Sequence, residues 1–338
     1  MIDEEVYAGM REAAFYEKLE GGGARCHLCP HECQIQEKGF GICRTRTVQD
    51  GALFAINYAE VASMANDPIE KKPLYHFYPG STIFSLGGNG CNLGCLFCQN
   101  WEISQAQVPT RRLEPEKAVE LAQQGHSLGI AYTYSEPMVW FEYVLDCAKL
   151  ARDKGLKNVL VTNGLINPEP LQDLIPWIDA LNIDVKSMSE DFYQKICKGP
   201  LPPVLHTAEV ASRTCLVEVT NLLIPTLNDS ESDIHRLVDW VAGKLGPDTP
   251  LHFSRYFPHY QMQIEATPAK TLTWAREIAK EKLSYVYVGN VLDRGSNSTY
   301  CPHCHHLLVG RDGYRVFRLG VKDGRCESCG QAAKILGP

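Results

Sequence analysis

Residues 81–98 read STIFSLGGNGCNLGCLFC, a β-prone run that breaks into glycines and then presents Cys91, Cys95 and Cys98 in the spacing C-x3-C-x2-C. Iron-sulfur clusters are held by cysteine thiolates, and a 4Fe-4S cluster given only three of them keeps one iron open to a small ligand. A three-thiolate site directly after a strand is therefore the leading reading of this stretch. The plainer alternatives are a zinc site one ligand short and a chance grouping.

Working outward, the runs GIAYTY, KNVLVTN, DALNIDV, TCLVEVTNLLI, PLHFSRY and LSYVYVG follow STIFSLG, most at intervals long enough for a crossover helix. Short β-rich runs alternating with amphipathic stretches are the pattern of repeated βα units around a parallel sheet. The expected fold class is α/β, with six or seven βα units forming a partial (β/α)6 TIM-like barrel. Pro115, Pro168 and Pro268 suit first-turn positions of helices, and Asp229 or Ser230 suits the cap of the helix through HRLVDWVAGKL. Chemistry in such proteins gathers at the carboxyl ends of the strands. Glu218, Asn221, Arg255, His259 and Tyr260 stand near the ends of the fifth and sixth strands, and alternation along a strand leaves open which of them face inward.

The chain of 338 residues, 44% apolar and 22% charged, has an ordinary globular composition and can bury a substantial core. A net charge of -7 argues against a protein that coats nucleic acid, so nucleic acid is not an expected partner. The opening MIDEEVYAGMREAAFYEKLEGGG has acidic residues and no apolar core of signal-peptide length, and no run is suited to spanning a membrane. A cytoplasmic location is expected. Fourteen cysteines in a reducing compartment point to metal rather than disulfides, and eleven of them fall into three groups.

The first group, Cys26, Cys29, Cys33 and Cys43, is spaced C-x2-C-x3-C-x9-C in a Gly- and Pro-marked stretch. It suits a tetrahedral zinc or a fully ligated auxiliary cluster, and His27 or His31 could replace one ligand. A structural zinc is the preferred reading. After Asn290 the βα pattern breaks, and Cys301, Cys304, Cys326 and Cys329 make two C-x2-C knuckles with the span of a zinc ribbon. Zinc is preferred there, with rubredoxin-like iron as the rival. His303, His305 and His306 are near enough to substitute, yet four cysteines suffice. Arg311, Arg315 and Arg318 alternate with apolar residues like the solvated face of a β-hairpin. Cys147 and Cys215 are expected in the core, while Cys197, beside Lys195 and Lys198, is either core or a thiol of lowered pKa near a strand end. The expected domains are a cysteine-rich lobe over 1–60, a partial barrel over 61–292 and a ribbon-like or rubredoxin-like lobe over 293–338.

With Phe97 at the aromatic position, the central cysteines match C-x3-C-x-aromatic-C of the radical S-adenosylmethionine superfamily. CHLCP, DPIEKKPLYHFYPG, CNLGCLFCQNWEISQ, YTYSEP, TNG and IPTLND together resemble the radical enzyme of the AmmeMemoRadiSam system, a group related to pyruvate formate-lyase activating enzymes. The resemblance implies a 4Fe-4S cluster on Cys91, Cys95 and Cys98 that reductively cleaves S-adenosylmethionine to methionine and a 5'-deoxyadenosyl radical. It places Phe97 near the adenine. Ser135 and Glu136 take the place of a glycine-glycine-glutamate stretch that holds the methionine amino group, the two glycines being absent here; opening a helix before Pro137 is the plainer role for Glu136.

Thr162, Asn163 and Gly164, with Asp184 and Lys186, would border the methionine carboxylate and ribose. For the last two a plain ion pair is the alternative. Val161 stands where relatives carry an aspartate for a monovalent cation, so no such site is expected. Lys71, Lys72 and His76 would shape the approach to the cluster. The resemblance further implies a low-potential electron donor, flavodoxin or ferredoxin, and association with AMMECR1-like and Memo-like proteins. Hydrogen abstraction from a protein partner is the leading function, the same chemistry on a small metabolite the second, and a non-enzymatic electron carrier or scaffold the third.

Overall fold

The computed structural model describes residues 10–291 and 297–337. Residues 1–9 and the expected boundary between 292 and 293 lie outside them. Eight strands form the main sheet: β1 Ser63–Pro68, β2 Thr82–Gly87, β3 Gly129–Tyr132, β4 Lys157–Thr162, β5 Ala180–Asp184, β6 Leu216–Leu223, β7 Leu251–Arg255 and β8 Val286–Gly289. They lie side by side in chain order, β2 to β8 all parallel and β1 antiparallel on the edge beside β2. Among the described residues β1 and β8 do not pair with each other, so the sheet curls as an open, barrel-like wall.

Continuous apolar runs form these strands because both faces are covered, one by helices and the other by the barrel interior. Ala180, Leu181 and Ile183 of β5 are fully buried, as are Val159 and Leu160 of β4. The one amide inside β4, Asn158, meets its needs by donating to the carbonyls of Ala148 at 2.9 Å and Trp177 at 3.0 Å. Six helices make the crossovers: α1 Pro115–Gln124, α2 Phe141–Asp153, α3 Pro168–Leu174, α4 Pro202–Ala211, α5 Glu231–Trp240 and α6 Ala269–Lys280. Pro115 and Pro168 open their helices, where a missing N–H costs nothing, and Pro268 precedes α6 as its cap. Ser230, rather than Asp229, caps α5 by accepting from the Asp233 amide. Phe141, Val144, Ala148 and Ala151 form the buried stripe of α2, with Cys147 beside them in the core.

Ahead of β1, short strands build two small antiparallel sheets, Arg11–Glu12 with Ala52–Ala55 and Arg46–Gln49, and Tyr16–Lys18 with Ala24–Cys26 and Gln34–Ile35. They dock on α2 through a buried ion pair, Arg46 Nη1 to Glu142 Oε1 at 2.7 Å, and the same oxygen accepts from the Ala14 amide at 2.9 Å. At the other end of the chain, Thr299–Tyr300, Leu307–Asp312 and Arg315–Leu319 form a three-stranded sheet, followed by the hairpin Val321–Lys322 and Arg325–Cys326.

Arg311 overturns the solvated-face reading. It is buried, with its guanidinium 4.4 Å from the Tyr75 ring, donating to Thr299 Oγ1 at 2.8 Å and to Glu70 Oε1 at 3.5 Å. Arg315 and Arg318 are exposed as expected. The terminal segment is then tied to the barrel by Leu336, whose amide donates to the His76 carbonyl at 2.8 Å and whose carbonyl accepts from the Tyr78 amide at 2.6 Å.

Candidate active site

The loop that leaves β2 turns sharply at Gly90, whose φ is +102°. A Cβ there would lie 2.3 Å from Thr45 Cγ2 and 2.8 Å from the Cys43 carbonyl, so the close approach of the amino-terminal lobe also demands glycine. Cys91, Cys95 and Cys98 follow, all with free thiols. Cys91 Sγ accepts from the Leu93 amide at 3.4 Å, with Asn163 Nδ2 at 3.6 Å, and Cys98 Sγ lies 3.1 Å from Ser104 Oγ. Burial raises the Cys91 and Cys98 pKa values. Cys95 is raised first by the hydrogen bond its thiol donates to the neighbouring Cys197 and then by burial, with Lys186 pulling the other way. Loading a metal on these thiols therefore displaces protons.

The strand ends bring the remaining groups around this loop. Glu136, just past β3, is buried and accepts from Thr162 Oγ1 at 2.6 Å, the Asn163 amide at 2.8 Å and the Met138 amide at 2.9 Å. Burial pushes its pKa up to about 7 against the pull of those donors. The Met138 contact caps the short helix Pro137–Trp140, so the plain helix-opening role is present as well. Asn163 also reaches Asn92 Oδ1 at 3.0 Å, coupling the end of β4 to the cysteine loop. Asp184 and Lys186 pair at 2.6 Å. Burial works against the Lys186 charge, but Asp184 and the nearby Cys95 outweigh it and raise its pKa. Ser135 donates to the Gly88 carbonyl at 2.6 Å, and Phe97 is buried with its ring 6.2 Å from that of Phe192.

Cys91, Cys95, Cys98, Phe97, Ser135, Glu136, Thr162, Asn163, Asp184 and Lys186 all line one cleft of about 570 Å³ at the carboxyl ends of the strands. Lys71, Lys72 and Tyr134 stand at its side, where both lysines pair with Asp67, at 2.8 and 2.6 Å. Thr220 and Ser254 line the cleft too, as does Tyr314 from the turn of the carboxyl-terminal hairpin. The Thr220 hydroxyl is buried without a partner, which suits a polar ligand in the cleft.

The placement of His76 differs from the expected one, and the strand-end residues whose direction alternation left open are settled. His76 does not approach the cysteine loop. It is buried between the barrel and the carboxyl-terminal segment, hydrogen-bonded to Tyr287 Oη and the Lys334 carbonyl, each at 2.7 Å. Glu218 lies in the barrel interior, 2.6 Å from His252 Nε2 and accepting from the His76 amide at 2.7 Å. Asn221 and Arg255 spend their side chains on the carbonyls of Val185 and Thr267, while Tyr260 stacks on Trp101 with centroids 5.3 Å apart. The residues that do line the cleft, Thr220 and Ser254, are the immediate chain neighbours of those two candidates.

The two flanking cysteine sets differ in spread. Cys301, Cys304, Cys326 and Cys329 place all four sulfurs within 4.8 Å of one another, with Cys301–Cys329 and Cys304–Cys326 each at 3.7 Å. That is the spacing for one metal ion. His306 is engaged with Glu327 at 2.8 Å instead. Cys26, Cys29, Cys33 and Cys43 line a separate cavity under the amino-terminal lobe. Among the described residues no helix is long and apolar enough to cross a membrane.

A family model described as the Radical SAM superfamily matches residues 86–241. An uncharacterised protein of Methanocaldococcus jannaschii is 46% identical over 335 residues, covering 97% of this chain and 100% of its own. The pyruvate formate-lyase-activating enzyme of Clostridium pasteurianum is 24% identical over 156 residues, 44% of this chain and 65% of its own. Among solved structures, a radical SAM methyltransferase from Sphaerobacter thermophilus superposes with a TM-score of 0.50 at 16% identity, over 63% of this chain and 67% of that one, a likeness of fold.

Proposed function

The chain belongs to the radical S-adenosylmethionine superfamily, and from that premise we propose that it is an enzyme that draws a hydrogen atom from a protein partner, with a 4Fe-4S cluster held by Cys91, Cys95 and Cys98. The observation that carries the reading is the convergence of three free thiols, a buried carboxylate and a buried unpartnered hydroxyl on one strand-end cleft. That donor set suits the cluster and the polar ends of S-adenosylmethionine. When bound and reduced, the pair supplies a 5'-deoxyadenosyl radical.

The protein's own residues bind, aim and exclude water. Thr162, Asn163 and Met138 hold the Glu136 carboxylate in place as acceptor for the methionine amino group. A carboxyl whose pKa lies near neutrality gains from an ammonium partner, which favours its charged form. Asp184 and Lys186 offer one charge of each sign to the ribose and carboxylate, Phe97 an apolar wall to the adenine, and Ser135 fixes the loop by its bond to Gly88. A low-potential flavodoxin or ferredoxin supplies the electron.

The kinship with activating enzymes supports a protein substrate, with AMMECR1-like and Memo-like proteins as associates. Tyr314 reaching the cleft from the ribbon favours a second reading, a small metabolite enclosed by that lobe. The test is anaerobic incubation of reduced protein with S-adenosylmethionine. Wild type should yield 5'-deoxyadenosine and Cys95→Ala none; equal behaviour of the two would end the enzymatic reading. Deuterium passing into 5'-deoxyadenosine from a labelled metabolite, and not from labelled protein, would replace the first reading with the second.

A further inference from the structure

We propose that Cys26, Cys29, Cys33 and Cys43 hold a second 4Fe-4S cluster, set against the loop that carries the first, the first being that of the preceding section. A single zinc or iron ion draws each thiolate to about 2.3 Å, which brings the four sulfurs to roughly 4 Å from one another. The carboxyl-terminal set has that geometry, and it is the only group of three or more candidate ligands gathered within 4.8 Å among the described residues. The amino-terminal thiols share one cavity, yet no three of them come so close. Cys91, Cys95 and Cys98 are likewise not gathered within 4.8 Å of one another. Ligands bound to separate irons of a cubane require that spread, whereas ligands of one ion exclude it. The zinc preferred from the C-x2-C-x3-C-x9-C spacing gives way to a cluster.

The surroundings fit an anionic group. Leu28, Ile35, Ile42 and Val139 make the cavity apolar, where a charged occupant needs a counter-charge. Arg46 lies in the same wall at 1% exposure and shares its charge with Glu142, Nη1 being 2.7 Å from that carboxylate and Nη2 3.3 Å from the Val139 carbonyl, while Nε is buried without a partner and left for the occupant. Thr45 Oγ1 lies 3.2 Å from Cys43 Sγ, a contact of the kind that tunes cluster potential. Four thiolates leave no iron open, so this cluster stores and passes an electron.

Its position suits that task. His31 Nε2 is 2.7 Å from the Asn92 carbonyl, and the Cys43 carbonyl packs where a side chain on Gly90 would be. The two cysteine loops are in contact. One electron from the low-potential protein donor would reduce the second cluster and pass on to the first, with no bond made or broken.

The experiment uses the full chain carrying Cys91→Ala, Cys95→Ala and Cys98→Ala together, reconstituted anaerobically with iron and sulfide. It should retain about four irons and four sulfides per chain, against about eight of each in wild type. On reduction it should give a paramagnetic signal that S-adenosylmethionine does not alter. Cys29→Ala with Cys33→Ala should lose about four irons while keeping the metal ion of the ribbon, which reports a folded chain. The reduced wild-type spectrum should differ from the sum of the two variants' spectra through spin coupling. A triple variant without iron and sulfide, or one with zinc in their place, overturns the proposal, and a plain sum of spectra overturns the adjacency. Failure of the radical reading would show separately, as wild type that carries both clusters and leaves S-adenosylmethionine intact.

Discussion

Replacing Gly90 by alanine tests how firmly the amino-terminal lobe and the central cysteine loop are held together. Two costs add. A side chain at φ +102° brings a backbone penalty of roughly 1–2 kcal/mol. A Cβ 2.3 Å from Thr45 Cγ2 and 2.8 Å from the Cys43 carbonyl overpacks a buried position, at about 1–3 kcal/mol. Together the loss should be about 3 kcal/mol, read by anaerobic urea unfolding, and iron retained after gel filtration should fall with it. Thr45→Ser removes the clashing methyl and keeps the hydroxyl that meets Cys43. In that background Gly90→Ala should cost about 1 kcal/mol less, because the two positions share one contact. A Gly90→Ala protein within about 0.5 kcal/mol of wild type, or a penalty identical in both backgrounds, would mean that this contact does not hold the lobe to the loop.

Three further outcomes are expected. Burial pushes the His76 pKa down to about 4, so the unfolded chain binds the extra proton between pH 6.5 and 4, and His76 lowers stability as pH falls through that window. Among Glu218, His252 and Arg311, the stability gap between wild type and His76→Gln, measured by urea unfolding, should narrow by roughly 3 kcal/mol from pH 7 to pH 4; a constant gap would contradict this. Arg311→Met leaves Glu70 buried and unpaired and should cost about 3–5 kcal/mol, while adding Glu70→Gln should recover much of it, a cycle that fails if the double variant is no more stable than the single. Cys304→Ala should release about one metal ion per chain and open residues 297–337 to limited proteolysis, with unchanged metal content as the contrary result.

The sheet was legible because its strands are buried on both faces and therefore read as unbroken apolar runs; all seven anticipated runs are strands β2 to β8. The groups around the cleft were legible through short stretches with chemical meaning. Orientation was not. Asn221 and Arg255 were candidates, but their neighbours Thr220 and Ser254 face the cleft, a one-residue difference that reverses a strand side chain. The fate of Arg311 and His76 depended on which surface the ribbon covers, a contact between segments more than two hundred residues apart. For Cys197 in KICKGP the sequence left a core position and a thiol near a strand end as alternatives, and only the fold brings it beside Cys95.

The turn at Gly313 and Tyr314 places one residue of the ribbon on the rim of the cleft, while Arg311 two positions before the turn anchors that hairpin to Tyr75 and Glu70. The superfamily match ends at residue 241, well short of this hairpin. The cysteine loop and the hairpin that meets it at the cleft therefore belong to different parts of the chain. A substitution at Tyr314 therefore alters the edge of the cleft from outside the stretch that sets the turn at Gly90 and the three thiols.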